Sequence, residues 1–311
     1  MILAATLLAV LAILLAWPVP LAVARSTWTD RAPGTALLLW QAIALGGVLS
    51  LLGSLLSAGL APYGDHLVAG LRTLVVDVAG GVLPPGSTYA SGLALAAAVL
   101  LGAHLVLNLV LTVVRTERQR ARHRSLVLLL SAPMPETPRT RVLDAAAPIA
   151  YCLPGTARSL TVLSAGLLSL LSEQEVLGVV EHERAHLRQH HALVLVAFHA
   201  WRIALPWFPV ASRAQDAVGL LTEMLADDDA RRRVPDPVLA RAIAAVAGAG
   251  GTPGQIPGDA PSADPSSVER RVRRLMHPAP VSPLIRALVP VAAVALVVVP
   301  PILLTLPAIT G

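Results

Sequence analysis

The chain has one cysteine, no lysine and few charges. A lone Cys152 excludes an intrachain disulfide and any cysteine-built metal cluster, and suits a small buried hydrophobe. All 24 basic residues are arginine, a bias that says nothing about chemistry. Charged residues are only 14% of the 311, against about a quarter in ordinary soluble domains, while 55% are hydrophobic. With a mean hydropathy of +0.68, this composition excludes an ordinary soluble enzyme and points to an integral membrane protein. The isoelectric point near 10.5 would suit a nucleic-acid partner. The arginines gather beside apolar runs, however, where a topology signal explains them, and no direct nucleic-acid contact is expected.

What the chain has is long apolar stretches. Four can cross a bilayer, at about 2–24, 35–62, 91–114 and 284–308. Ala22-Val23-Ala24 fits a signal-peptidase site, but no basic region precedes the stretch, so it reads as a retained span. In the second span Gly46, Ser50 and Ser54 recur four apart, a spacing that lets helices approach closely. The third carries His104 and Asn108 on one face, read as an interhelical hydrogen-bonding pair. Pro290, Pro300 and Pro301 predict a kinked fourth span.

The five arginines of Arg115–Arg124 mark the cytoplasmic side. The loop with Arg25, Asp30 and Arg31 then falls inside, and the arginine-poor 63–90 loop, which ends in Leu83-Pro84-Pro85-Gly86, falls outside. The expected protein is thus mostly α, a multi-pass protein of the plasma membrane with both termini outside. Residues 1–114 hold three spans, 115–283 form a cytosolic domain, and 284–311 hold the last span. Within the cytosolic domain, 147–155 and 159–164 read as two short strands around a turn. The Gly/Pro/Ser-rich 248–267 reads as a flexible loop. Val268–Leu275 reads as a basic amphipathic helix lying on the inner membrane surface.

The chemistry sits in His182-Glu183-Arg184-Ala185-His186. Two histidines four apart share a helix face and can reach one zinc ion, with Glu183 placed to take a proton from an attacking water. Ser172 as N-cap and Glu175 closing a capping box start the helix well. A third ligand is needed. The positions where a metzincin would carry Gly and His hold Gln189 and Ala192, so that pattern fails. Glu223 and Asp227 share a later helix face, so one can bind metal while the other orients a ligand histidine. Either half alone could be a solvated helix face; both in this order make the gluzincin arrangement. The domain is therefore expected to be an α+β, thermolysin-like zincin, with a strand edge beside the zinc helix holding an extended substrate. Tyr151, His190, His191 and Arg231–Arg233 are candidates for stabilising the oxyanion.

These motifs, with three spans before and one after, the Ala150–Gly155 segment and the arginine-rich helix ahead of the last span, resemble the BlaR/MecR antirepressor family of membrane zinc proteases. The resemblance covers the whole chain and is most specific over 147–233. It implies zinc held by His182, His186 and Glu223, Glu183 as general base, Asp227 in support, and a protein substrate, a transcriptional repressor. Best-known members carry an extracellular penicillin-binding domain after the fourth span, and none is expected here. Two alternatives stand beside this: membrane-protein quality control, similar in chemistry to the HtpX family, and a non-catalytic metal-binding sensor or scaffold. The substrate, the activating signal and the oligomeric state are not written in the sequence.

Overall fold

A computed structural model describes residues 1–82, 87–134, 137–153, 160–206, 209–250 and 265–305. Helices dominate. The first apolar stretch folds as α1 (Ile2–Ala16) and α2 (Pro18–Ala24), divided where Pro18, which has no N–H, restarts the helix. A single turn, α3 (Trp28–Arg31), leads into α4 (Pro33–Leu60). The segment expected to be a loop instead contains α5 (Leu67–Ala79), whose N-cap is His66: its Nδ1 accepts from the Ala69 N–H at 3.2 Å. Histidine is not among the usual capping residues, which hides this start. The helix break expected at residues 83–86 lies outside the described residues.

α6 (Tyr89–Leu130) starts at a Thr88–Ser91 capping box and runs for 42 residues without interruption. At about 1.5 Å per residue it is roughly 60 Å long, twice a hydrocarbon layer. The third span and the arginine run are thus one helix, and the boundary drawn at residue 114 falls inside it. His104 Nε2 lies 3.1 Å from the Ala204 carbonyl and Asn108 Nδ2 donates to the His104 carbonyl at 3.0 Å, so the histidine does bond between helices.

The helix ends directly in a sheet of four strands: β1 (Ser131–Met134), β2 (Thr137–Leu143), β3 (Ala150–Leu153) and β4 (Leu160–Ser164). Their spatial order is β1-β2-β4-β3; β2 and β4 run parallel, and the outer pairs are antiparallel. Sequence reading gave only the last two. Pro133, Pro138, Arg139 and Arg141 interrupt the apolar alternation by which β1 and β2 would be recognised. The turn expected around residues 154–159 is outside the described residues.

Then follow α7 (Ala165–Leu170), α8 (Glu173–Arg188), α9 (His191–Ala204), α10 (Pro209–Ala230), α11 (Asp236–Gly248), α12 (Pro265–Met276) and α13 (Pro283–Thr305). α13 continues through its three prolines. Of the 248–267 stretch, residues 251–264 are outside the described residues, and both flanks are helical.

Among the described residues four segments are long and apolar enough to cross a membrane: Ile2–Ala24, Pro33–Leu60, Tyr89–Leu130 and Pro283–Thr305. α4 is the central one. Gly46, Ser50, Gly53 and Ser57 are among its buried small residues. That spacing of four, three and four follows the 3.6-residue turn, whereas Ser54 drifts off the face. A side chain at Gly46 would begin 2.5 Å from the Leu296 carbonyl oxygen, so α13 can approach only glycine there. One core joins α1, α4 and α13 to α9 and α10. A second, around Leu163, Leu167, Val179 and Val246, fixes α8 between the sheet and α11.

Candidate metal centre

α8 carries the first half of the site. Glu175 Oε2 accepts from the Ser172 N–H at 2.9 Å, closing its N-terminus. Val179 and Ala185 bury one side of the helix, which turns His182 and Glu183 inward, each only 2% exposed. α10 crosses opposite and brings Glu223 and Asp227. His182 Nε2 lies 3.2 Å from His186 Nε2 and 3.3 Å from Glu223 Oε2, and His186 Nε2 lies 3.3 Å from Glu223 Oε1.

These distances test whether a metal fits. Two imidazole nitrogens and a carboxylate converge, a set that a cation satisfies. The 3.2 Å between the two histidine nitrogens is close to the ligand–ligand edge of about 3.3–3.4 Å of a tetrahedral site with bonds of about 2.0–2.1 Å, and each Glu223 oxygen lies 3.3 Å from one of those nitrogens. His182, His186 and Glu223 form the one such group among the described residues.

The outer ring nitrogens are held in turn. His182 Nδ1 lies 2.9 Å from Asp227 Oδ1, so it carries the proton and leaves Nε2 free to ligate. Burial disfavours a charged His182, but the Asp227 and Glu223 carboxylates outweigh it and hold the ring up at about 10; a cation entering the site displaces that proton. The chain leaves α8 through His190, whose φ of 53° is left-handed, and this turn folds His191 back beneath the site. His191 Nδ1 lies 3.0 Å from His186 Nδ1, and its Nε2 lies 3.1 Å from Gln189 Oε1. Burial and the neighbouring His186 push His191 down to about 4. Neutral His191 therefore accepts from His186 through Nδ1 and donates to Gln189 through Nε2, aiming His186 Nε2 at the metal position.

Arg271, from α12, closes the back of the site. Its Nε donates to Asp227 Oδ2 at 2.8 Å, Nη2 to Asp227 Oδ1 at 2.7 Å, and Nη1 lies 2.9 Å from Glu223 Oε2. Only 5% exposed, it balances the buried Asp227 and the partly buried Glu223. Burial alone would raise both acids, yet the guanidinium and the histidines hold Glu223 well below the usual range and Asp227 at about 2. Two other arginines of this helix also reach other elements: Arg274 donates to Asp228 at 2.6 Å, and Arg270 Nε donates to Asp30 at 3.0 Å, while Arg273 is exposed beside Glu269 of the same helix.

Glu183 is the exception in a well-paired site. Its Oε1 is buried without a hydrogen-bond partner, and burial pushes its carboxyl up to about 7. A group that exchanges its proton near neutrality suits a relay. The oxyanion candidates fare differently. Tyr151 points its hydroxyl at His123 Nε2, 3.0 Å away, Arg231 pairs with Asp236, and Arg232 with Asp229. His190 is an exposed turn residue, and His191 is engaged behind His186.

Residues 114–226 match the family model described as Peptidase family M48. The matched segment holds the sheet, His182, Glu183, His186 and Glu223, and stops just before Asp227. It supports a metallopeptidase, and the family's habit makes zinc the expected metal. Neither the curated proteins nor the solved structures gave a match.

Proposed function

We propose that the chain is an integral-membrane zinc metalloendopeptidase. The observation that carries the reading is the convergence of His182, His186 and Glu223 beside a buried, partnerless Glu183. A zinc ion held by these three ligands supplies a Lewis acid that polarises a scissile carbonyl and lowers the pKa of water. Glu183 takes the proton from the attacking water and passes it to the departing amide nitrogen. Arg271 and Asp227 keep His182 in its ligating tautomer, and His191 does the same for His186. β3 lies at the sheet edge beside α8, so its outer backbone groups are available to an extended peptide.

Four membrane crossings follow from length and hydropathy, with 115–283 in the cytosol of a cell bounded by the plasma membrane and both termini outside. The substrate is then a cytosolic protein; the resemblance of 147–233 to antirepressor proteases favours a transcriptional repressor.

The test compares newly formed protein N-termini in cells carrying the natural protein or Glu183→Ala, which spares every metal ligand. A few differing cleavages, one of them in a DNA-binding repressor, support the regulatory reading. Many fragments of membrane proteins replace it with quality control. No difference under any growth condition, with metal still bound, leaves a non-catalytic sensor.

A further inference from the structure

α12 is held in two ways, and only one of them is apolar. Val268, Val272 and Leu275 pack against Ala230, Val234, Leu239 and Ile243 at the end of α10 and on α11. Apolar burial is non-directional, so by itself it lets a helix turn or slide slightly in place. Arg271 cannot tolerate that freedom, because it meets Asp227 and Glu223 at hydrogen-bond distance.

The direction comes from Arg270 and Arg274, four residues apart and so on one face of α12, adjoining Arg271. Arg270 donates to both carboxylate oxygens of Asp30, through Nε at 3.0 Å and through Nη2. Arg274 Nε donates to the Asp30 carbonyl at 2.6 Å, and its Nη2 donates to the Asp228 carboxylate oxygens at 2.8 and 2.6 Å. One guanidinium, its side chain 14% exposed, thus ties α12 to α3 and to α10. An isolated exposed ion pair contributes little, but bidentate geometry within a network is the exception.

Asp30 belongs to α3, the turn between the first two candidate spans, and lies 240 residues before Arg270. That turn is fixed on its own side. Thr29 Oγ1 donates to the Ser26 carbonyl at 2.8 Å, and Trp28 packs against the core that α4 shares with α10. Just beyond, a side chain on Gly34 of α4 would begin 3.6 Å from Leu225 Cδ2. The α3–α4 junction therefore abuts the stretch of α10 that carries Glu223 and Asp227.

From this we infer that Asp30 is a positioning residue of the metal centre: it sets the register of α12 and so holds Arg271 against Asp227 and Glu223. The inference rests on the metallopeptidase reading for what the centre does, and on the contacts alone for how it is assembled. The contact also requires the 25–31 loop and α12 to share one side of a membrane, as the four-crossing reading has them.

The test uses the full chain, purified and loaded with zinc, and follows metal release into excess chelator. Groups behind the ligands govern metal retention, so a displaced Arg271 should speed release. Asp30→Asn is expected to speed it about three- to fivefold, the upper range for a partly exposed pair. Asp30→Arg, which sets like charge against Arg270 and Arg274, should speed it about tenfold or more. Arg271→Lys is the deciding background. It keeps the charge but loses the bidentate contact, so Asp30→Asn should add nothing there. The same factor in both backgrounds would mean that Asp30 acts by another route, and would overturn the inference. Unchanged release in both Asp30 variants would do the same. Amide hydrogen exchange over Met224–Asp228 gives a readout that needs no metal, and Asp30→Asn should quicken it. A natural chain that retains no zinc would sink the zinc reading alone. The exchange would still decide the role of Asp30, and an unchanged rate there would overturn it.

Discussion

The span bundle and the metal centre hold together by opposite means. In the bundle, α4 closes on α13 and α6 by removing side chains: Gly46 admits the Leu296 backbone, and Gly59 leaves room for Leu95. In the centre, helices close by adding charge: α8, α10 and α12 meet through two histidines, two carboxylates and one guanidinium. Close packing tolerates many apolar sequences of similar volume, whereas a buried charge network fails when any one member is removed. The first region should therefore yield gradually to substitution and the second abruptly.

The sharpest break in this contrast is Glu183→Gln, which changes no metal ligand and no packing volume. Peptide hydrolysis by the purified protein should fall by about 10²–10⁴-fold with zinc content unchanged. Next comes Glu223→Ala, which should lose the metal by elemental analysis, while Asp228→Ala, five residues further along α10 and paired with Arg274, keeps it. Equal zinc in the two variants would end the ligand assignment. Arg271→Met removes the guanidinium from the buried Asp227 and from the partly buried Glu223 and should cost about 3–5 kcal/mol in denaturant unfolding. Arg271→Lys should recover only part, because an ammonium cannot make the bidentate contact to Asp227. By contrast Gly46→Ala, in the bundle, should cost about 1–3 kcal/mol through overpacking and leave the zinc content intact.

The smallest effect is one of pH. Asp227 is held at about 2 against an ordinary 3.8, a depressed acid, so its contribution to stability is present above pH 3.8 and is lost as pH falls towards 2. Unfolding midpoints in mild acid should drop over that window, and Asp227→Asn should flatten the drop.

The same contrast explains which parts could be read from sequence. His182, Glu183, His186, Glu223 and Asp227 could be found because each pair sits at helical spacing, and helical spacing is local. Apolar length likewise exposed the four candidate spans. Arg271 could not be found that way. It arrives from a helix beyond residues 251–264, and no spacing ties it to α8 or α10; only the burial of Arg271 and Leu275 on one side of a basic helix hints at an inward face. His191 is a candidate electrophile by sequence, but its role behind His186 depends on the left-handed turn at His190, which residue type alone does not specify. α5 and strands β1 and β2 were missed because an unusual cap and interrupting prolines hid the ordinary signals.

α6 has a mechanical consequence. From Tyr89 to Leu130 it has no proline and no loop, and Ser131 follows as the first residue of the sheet. Near its end His123 meets Tyr151 on the edge strand. A rod of this kind cannot absorb a tilt locally. Whatever rotates its Tyr89 end, such as a thinner bilayer or a partner helix, swings the β1 end in the opposite sense about the point where the rod is gripped. On the proposed four-crossing reading, bilayer thickness thereby becomes a variable that the sheet, and the strand edge beside Glu183, can register.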